Sequence, residues 1–158
     1  MSHFLEKWFW VAGIYSVALF GLLMFFNVRG KVRENPELGL GYQTIIIRFL
    51  VSGVFPFLIM GLGSLIGKVP SPYYFLQPRE LDPYVLLFWG SILVVWAIQT
   101  VWIFVQGGAE MLARHPGFLR FRGLQIFNEI TDPAAYKIYW ILITLGMFFA
   151  VVVLFLLP

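Results

Sequence analysis

Residues able to do chemistry are few in this chain and widely separated. Arg114, Arg120 and Arg122 could clamp a phosphate, as guanidinium groups do in bidentate pairs. No paired carboxylates for Mg²⁺ stand beside them in the sequence. Ser52 and Ser64 lie in apolar surroundings with no base nearby. The two histidines, His3 and His115, are expected on opposite sides of a membrane, where they cannot face one another across a haem. Cysteine is absent, which removes disulfides, thiolate metal sites and a cysteine nucleophile. No HExxH, GxSxG, P-loop or GxGxxG motif occurs in a usable context. No catalytic residue, no metal site and no intrinsic cofactor are expected. The chain does not read as an enzyme.

Composition explains this scarcity. The chain has 158 residues, 60% of them hydrophobic and 12% charged. Soluble domains average about 45–50% apolar and about 25% charged. A core this small cannot hide so much apolar surface, so a soluble monomer or a nucleic-acid-binding domain is excluded. The net charge of +3 fits orientation signals and lipid contacts better than nucleic acid.

Four apolar runs each approach the ~20 residues needed to cross a bilayer: about 9–28, 44–67, 84–105 and 136–157. They are continuously apolar, without the alternation of barrel strands. The fold class is therefore an all-α integral membrane protein, one domain over 1–158, with four transmembrane helices. The first run is too long for a signal-peptide core and most of its positive charge follows it, so it reads as an uncleaved span. Asp82-Pro83 and Asp132-Pro133 have the chemistry of helix starts, a capping acid followed by proline at the first helical position. Pro56 should kink the second span.

Basic residues set the expected orientation. Arg29, Lys31, Arg33, Arg114, Arg120, Arg122 and Lys137 fall on one side, against Lys7, Lys68 and Arg79 on the other. The positive-inside rule puts the first and third loops in the cytoplasm and both termini on the outer side. The proline-rich second loop, with Tyr73, Tyr74 and Phe75, is expected to be an ordered outer loop. The third loop, about 106–135, starts with a stretch, Ala109–His115, that can continue a helix up to Pro116. It then alternates Phe and Leu with Arg120 and Arg122, a pattern suited either to the membrane interface or to a docking partner.

Within the spans, Arg48 sits about one turn inside the second and is expected to snorkel to headgroups. Gln99, deeper in the third, suits a hydrogen bond to another helix. Arg29, Lys31, Arg33, Arg48, Arg120 and Arg122 are the candidate lipid-headgroup contacts. Gly53, Gly61, Gly63, Gly67 and Gln99 are the candidate helix-packing positions, with Gly63 and Gly67 a small-xxx-small pair. Glu110 is expected to pair with Arg114 one turn on. Trp89, Trp96 and Trp102 spread an aromatic surface around the third span.

These features favour a non-catalytic accessory or structural transmembrane subunit of a larger respiratory or photosynthetic-type complex. Its expected partners are membrane lipids and other transmembrane subunits, with no nucleic acid. Pigment or quinone contact would come only through those partners. The expected location is a bacterial-type inner (cytoplasmic) membrane or an equivalent energy-transducing one. A small oligomeric transporter or channel is the alternative, and a lipid-headgroup enzyme the second.

Overall fold

The computed structural model describes residues 8–66, 72–76, 82–117 and 130–156. Four of its helices are long and apolar enough to cross a membrane, and no strand occurs among the described residues. They are α1 (Phe9–Glu34), α2 (Gly39–Leu65), α3 (Pro83–Phe104) and α5 (Pro133–Leu156), with a short α4 (Gly108–Arg114) between the last two. At ~1.5 Å per residue the four span about 33–40 Å.

Hydropathy marks the lipid-immersed part of a helix, and the helices run further. α1 continues beyond residue 28 to Glu34, carrying Lys31 and Arg33 in its last turn, where cations favour the carbonyl end of the helix dipole. A 3₁₀ turn at Pro36–Leu38 leads directly into α2 at Gly39. The first link is thus much shorter than the apolar runs imply. α2 passes through Pro56 and ends at Leu65; Gly67 lies outside the described residues.

Both Asp-Pro starts form as their chemistry requires. The Asp82 side chain accepts from the Tyr84 and Val85 amides at 2.8 and 3.4 Å, and Asp132 accepts from the Ala134 amide at 2.9 Å. Each carboxylate satisfies N–H groups that a helix start leaves without intrahelical partners. At the far end of α3, Gly107 adopts φ 76°, a left-handed conformation that glycine reaches without a Cβ penalty. α4 is therefore a separate helix, not a continuation of α3. It stops at Arg114, because the residue before Pro116 is disfavoured in the helical region.

α1 and α2 make an antiparallel hairpin with its seam on glycines. A Cβ on Gly21 would meet Leu50 at 2.5 Å, one on Gly53 would meet Val17 at 2.8 Å, one on Gly61 would meet the Trp10 ring at 2.6 Å, and one on Gly13 would run into Phe57. Such close approach supplies the van der Waals contact that drives helix association in lipid. α3 packs on the next face of α2, and α5 leans on α4 and α3. One buried cluster, including Met24, Tyr42, Ile45, Trp102 and Leu112, gathers at the end carrying Arg29, the basic end. Met60, Phe75, Val85 and Phe88 form another at the opposite end. No described residue of α5 is buried, and Phe148 and Phe149 near its far end are 68% and 69% exposed.

Of the second loop, only the 3₁₀ turn Pro72–Leu76 is described. Its Phe75 is buried, and the Phe75 carbonyl accepts from the Trp89 indole at 2.8 Å. That stretch is ordered against α3, as expected. The remainder of the loop lies outside the described residues.

Candidate functional site

Three half-buried polar residues of the spans, Arg48, Ser52 and Gln99, meet at the α2–α3 contact. Gln99 Nε2 donates to Ser52 Oγ at 2.5 Å, and the Arg48 guanidinium carbon sits 4.8 Å from the Trp102 ring centroid. Arg48 and Ser52 are one turn apart on α2; Gln99 and Trp102 are one turn apart on α3 in the opposite sense. The two contacts are therefore successive rungs of one antiparallel seam. Pro56 lacks an N–H, so the Ser52 carbonyl has no i+4 donor. Ser52 is thus the polar weak point of α2, and the Gln99 carboxamide covers its hydroxyl.

The hairpin register fixes the depth of these rungs. Trp10 lies opposite Gly61, Gly13 opposite Phe57, Val17 opposite Gly53 and Gly21 opposite Leu50. Continued along both helices, it sets Arg48 level with Leu22 and Leu23, and Arg29 level with Gly41 and Tyr42. The Arg48 backbone is then about 10 Å deeper than that of Arg29 at ~1.5 Å rise per residue. Ser52 and Gln99 fall close to midway between Trp10 and Arg29. Arg48 thus lies more than two turns into α2, which begins at Gly39, ahead of the apolar run that starts near residue 44. Helix side chains slant toward the N-terminus, so the Arg48 side chain rises toward the basic end and comes to rest over Trp102. Trp102 is only 7% exposed. It abuts Gly108, where a Cβ would lie 2.6 Å from the ring. Among the described residues the Arg48 guanidinium meets no carboxylate.

Glu110 pairs with Lys137 at 3.2 Å and not with Arg114 as the helical spacing had suggested. α4 is short and α5 begins beside it, so the ammonium of Lys137 reaches the carboxylate first. Glu110 is held below the ordinary carboxylate range by its own backbone N–H and then by the Lys137 hydrogen bond. α5 is fixed higher up by a stacked Trp96–Trp140 pair, centroids 4.4 Å apart, and by Trp140 Nε1 donating to Thr100 Oγ1 at 2.9 Å.

His115 is 8% exposed. Its Nδ1 donates to the Met111 carbonyl at 2.6 Å, and its ring edge fills the space above Gly41. Tyr42 meets the same imidazole edge to face and donates to the Pro116 carbonyl at 2.8 Å. This knot ties the α4 region to the α1–α2 hairpin. Nothing in residue spacing signalled it, since the partners are over 70 residues apart.

Arg29 and Arg33 are exposed on the last turns of α1, with Lys31 half-buried beside Gly117. Arg120 and Arg122 lie outside the described residues. Gly53 and Gly61 face α1, whereas a Cβ on Gly63 would sit 3.0 Å from Tyr84 Cβ on α3. The three tryptophans of the third span turn to three neighbours: Trp89 to the Phe75 carbonyl, Trp96 to Trp140 and Trp102 to Arg48. Hydroxyls elsewhere in the spans bond back to their own helices, as Ser16, Thr44, Ser91, Thr100 and Thr144 do. No cluster of three or more metal-ligating side chains occurs among the described residues.

These features define the class: a multi-pass integral membrane protein with four apolar helices. The chain matches no family model, no characterised protein and no solved structure.

Proposed function

We propose that the chain is a non-catalytic transmembrane subunit that assembles with other membrane helices in a larger complex. The observation that carries this reading is α5. It is held at its beginning by Lys137 and Trp140, yet it buries no described residue. Helix association in lipid depends on packing and on hydrogen bonds between helices, and the far half of α5 offers Phe148 and Phe149 largely exposed. The self-satisfied hydroxyls of the spans support the same reading over a transport path, which requires polar groups facing a cavity.

In this reading the basic end faces the cytoplasm, both termini face outward, and the membrane is a bacterial-type inner or other energy-transducing one. Arg29, Lys31 and Arg33 then contact inner-leaflet headgroups. The test is extraction in mild detergent followed by native separation. The 18.2 kDa chain is expected in a stoichiometric assembly with other transmembrane proteins. Recovery of the chain alone, moving a solute when reconstituted in liposomes, would overturn the proposal.

A further inference from the structure

We propose that Arg48 marks the headgroup end of a binding site for one acidic phospholipid, seated along the exposed face of α2 beside Trp102 of α3. The inference stands independently of the accessory-subunit reading.

Two observations converge. First, the Arg48 backbone lies about 10 Å below the level of Arg29 at ~1.5 Å rise per residue, and among the described residues its guanidinium meets the face of Trp102 and no carboxylate. A guanidinium offers five N–H donors. A ring face attracts the charge but accepts none of those hydrogens in the way an oxygen does. Ionisable groups at such depth are costly and are found with partners. Second, the side chain is only partly covered, and it borders the exposed apolar face of α2 formed by Ile47, Val51 and Phe55.

A phosphate with two acyl chains fits this arrangement. The phosphate oxygens accept from the Arg48 guanidinium, and the chains lie along apolar helix surface toward the opposite end. A free anion lacks the apolar mass to reach this depth. The slant of Arg48 toward the basic end brings its charge to meet a headgroup from that side.

The experiment reconstitutes the full chain in phosphatidylcholine vesicles containing a small fraction of dibrominated-acyl phosphatidylglycerol, or the same fraction of dibrominated-acyl phosphatidylcholine. Quenching of the six tryptophans is the readout. Phosphatidylglycerol is expected to quench more strongly at equal fraction. Arg48→Gln is expected to weaken its apparent affinity about tenfold or more, the loss of a charge-assisted hydrogen bond, and Arg48→Lys by less. Inorganic phosphate is expected not to compete, which separates a lipid headgroup from a free anion. Equal quenching of the wild-type chain by both lipids overturns the proposal whether or not the variants fold. So does a co-purifying helix whose carboxylate crosslinks to the Arg48 position.

Discussion

Trp140 on α5 donates its indole N–H to the hydroxyl of Thr100 on α3 at 2.9 Å, and that hydroxyl in turn donates to the Trp96 carbonyl at 2.8 Å. With Trp96 stacked on Trp140, the two helices are joined by one hydrogen-bond relay and one ring pair.

Beyond its contact with α4, this join is what fastens α5 to the other spans. Hydrogen bonds between membrane helices average about 0.6 kcal/mol and reach about 1.7; an aromatic pair adds about 0.5–1.5. Trp140→Leu is expected to cost about 1–2 kcal/mol in detergent unfolding. Thr100→Val should cost less, since it keeps the stack. Equal, negligible effects of both would show that α5 is held elsewhere.

The glycine seam predicts opposite outcomes for similar substitutions. Gly53→Val and Gly61→Leu place atoms where Val17 and the Trp10 ring already lie, and overpacking costs about 1–3 kcal/mol. Gly90 and Gly146 have nothing within 4 Å of an added Cβ. Gly90→Ala and Gly146→Ala should leave stability unchanged or raise it, because alanine is the better helix former. Thermal unfolding of the four variants checks the contrast.

Acid should loosen the contact between α4 and α5. The folded-state pKa of Glu110 is depressed, so its contribution is present above the ordinary carboxylate pKa and is lost as pH falls through the lower folded value. Below that point Glu110 is neutral and Lys137 loses its partner. Spin labels on α4 and α5 should move apart or broaden in distance in strong acid and not between pH 6 and 8. Glu110→Gln should remove the acid response.

Absence of cysteine makes the orientation directly measurable. Tyr73→Cys is expected to react with an impermeant maleimide from outside intact cells, and Glu37→Cys only after permeabilisation. The reverse pattern would invert the proposed topology.

The four spans were legible because lipid demands long, continuous apolar runs, and the Asp-Pro caps because their chemistry is local. Helix ends in the headgroup layer were not, since residues such as Lys31 and Arg33 suit helix and loop alike. The site was legible only by residue type. Arg48 and Gln99 stood out as polar groups in apolar runs, but their partners depend on which helix faces which. That is why Lys137, and not the nearby Arg114, proved to be the neighbour of Glu110. The His115–Gly41 fit and the Trp96–Trp140 stack were invisible for the same reason.

The close glycine contacts of the hairpin seam all fall between Trp10 and Gly61. During synthesis, the first two helices can therefore mate while the second half of the polypeptide is still on the ribosome, giving the later helices a finished wall to settle against as they enter the bilayer.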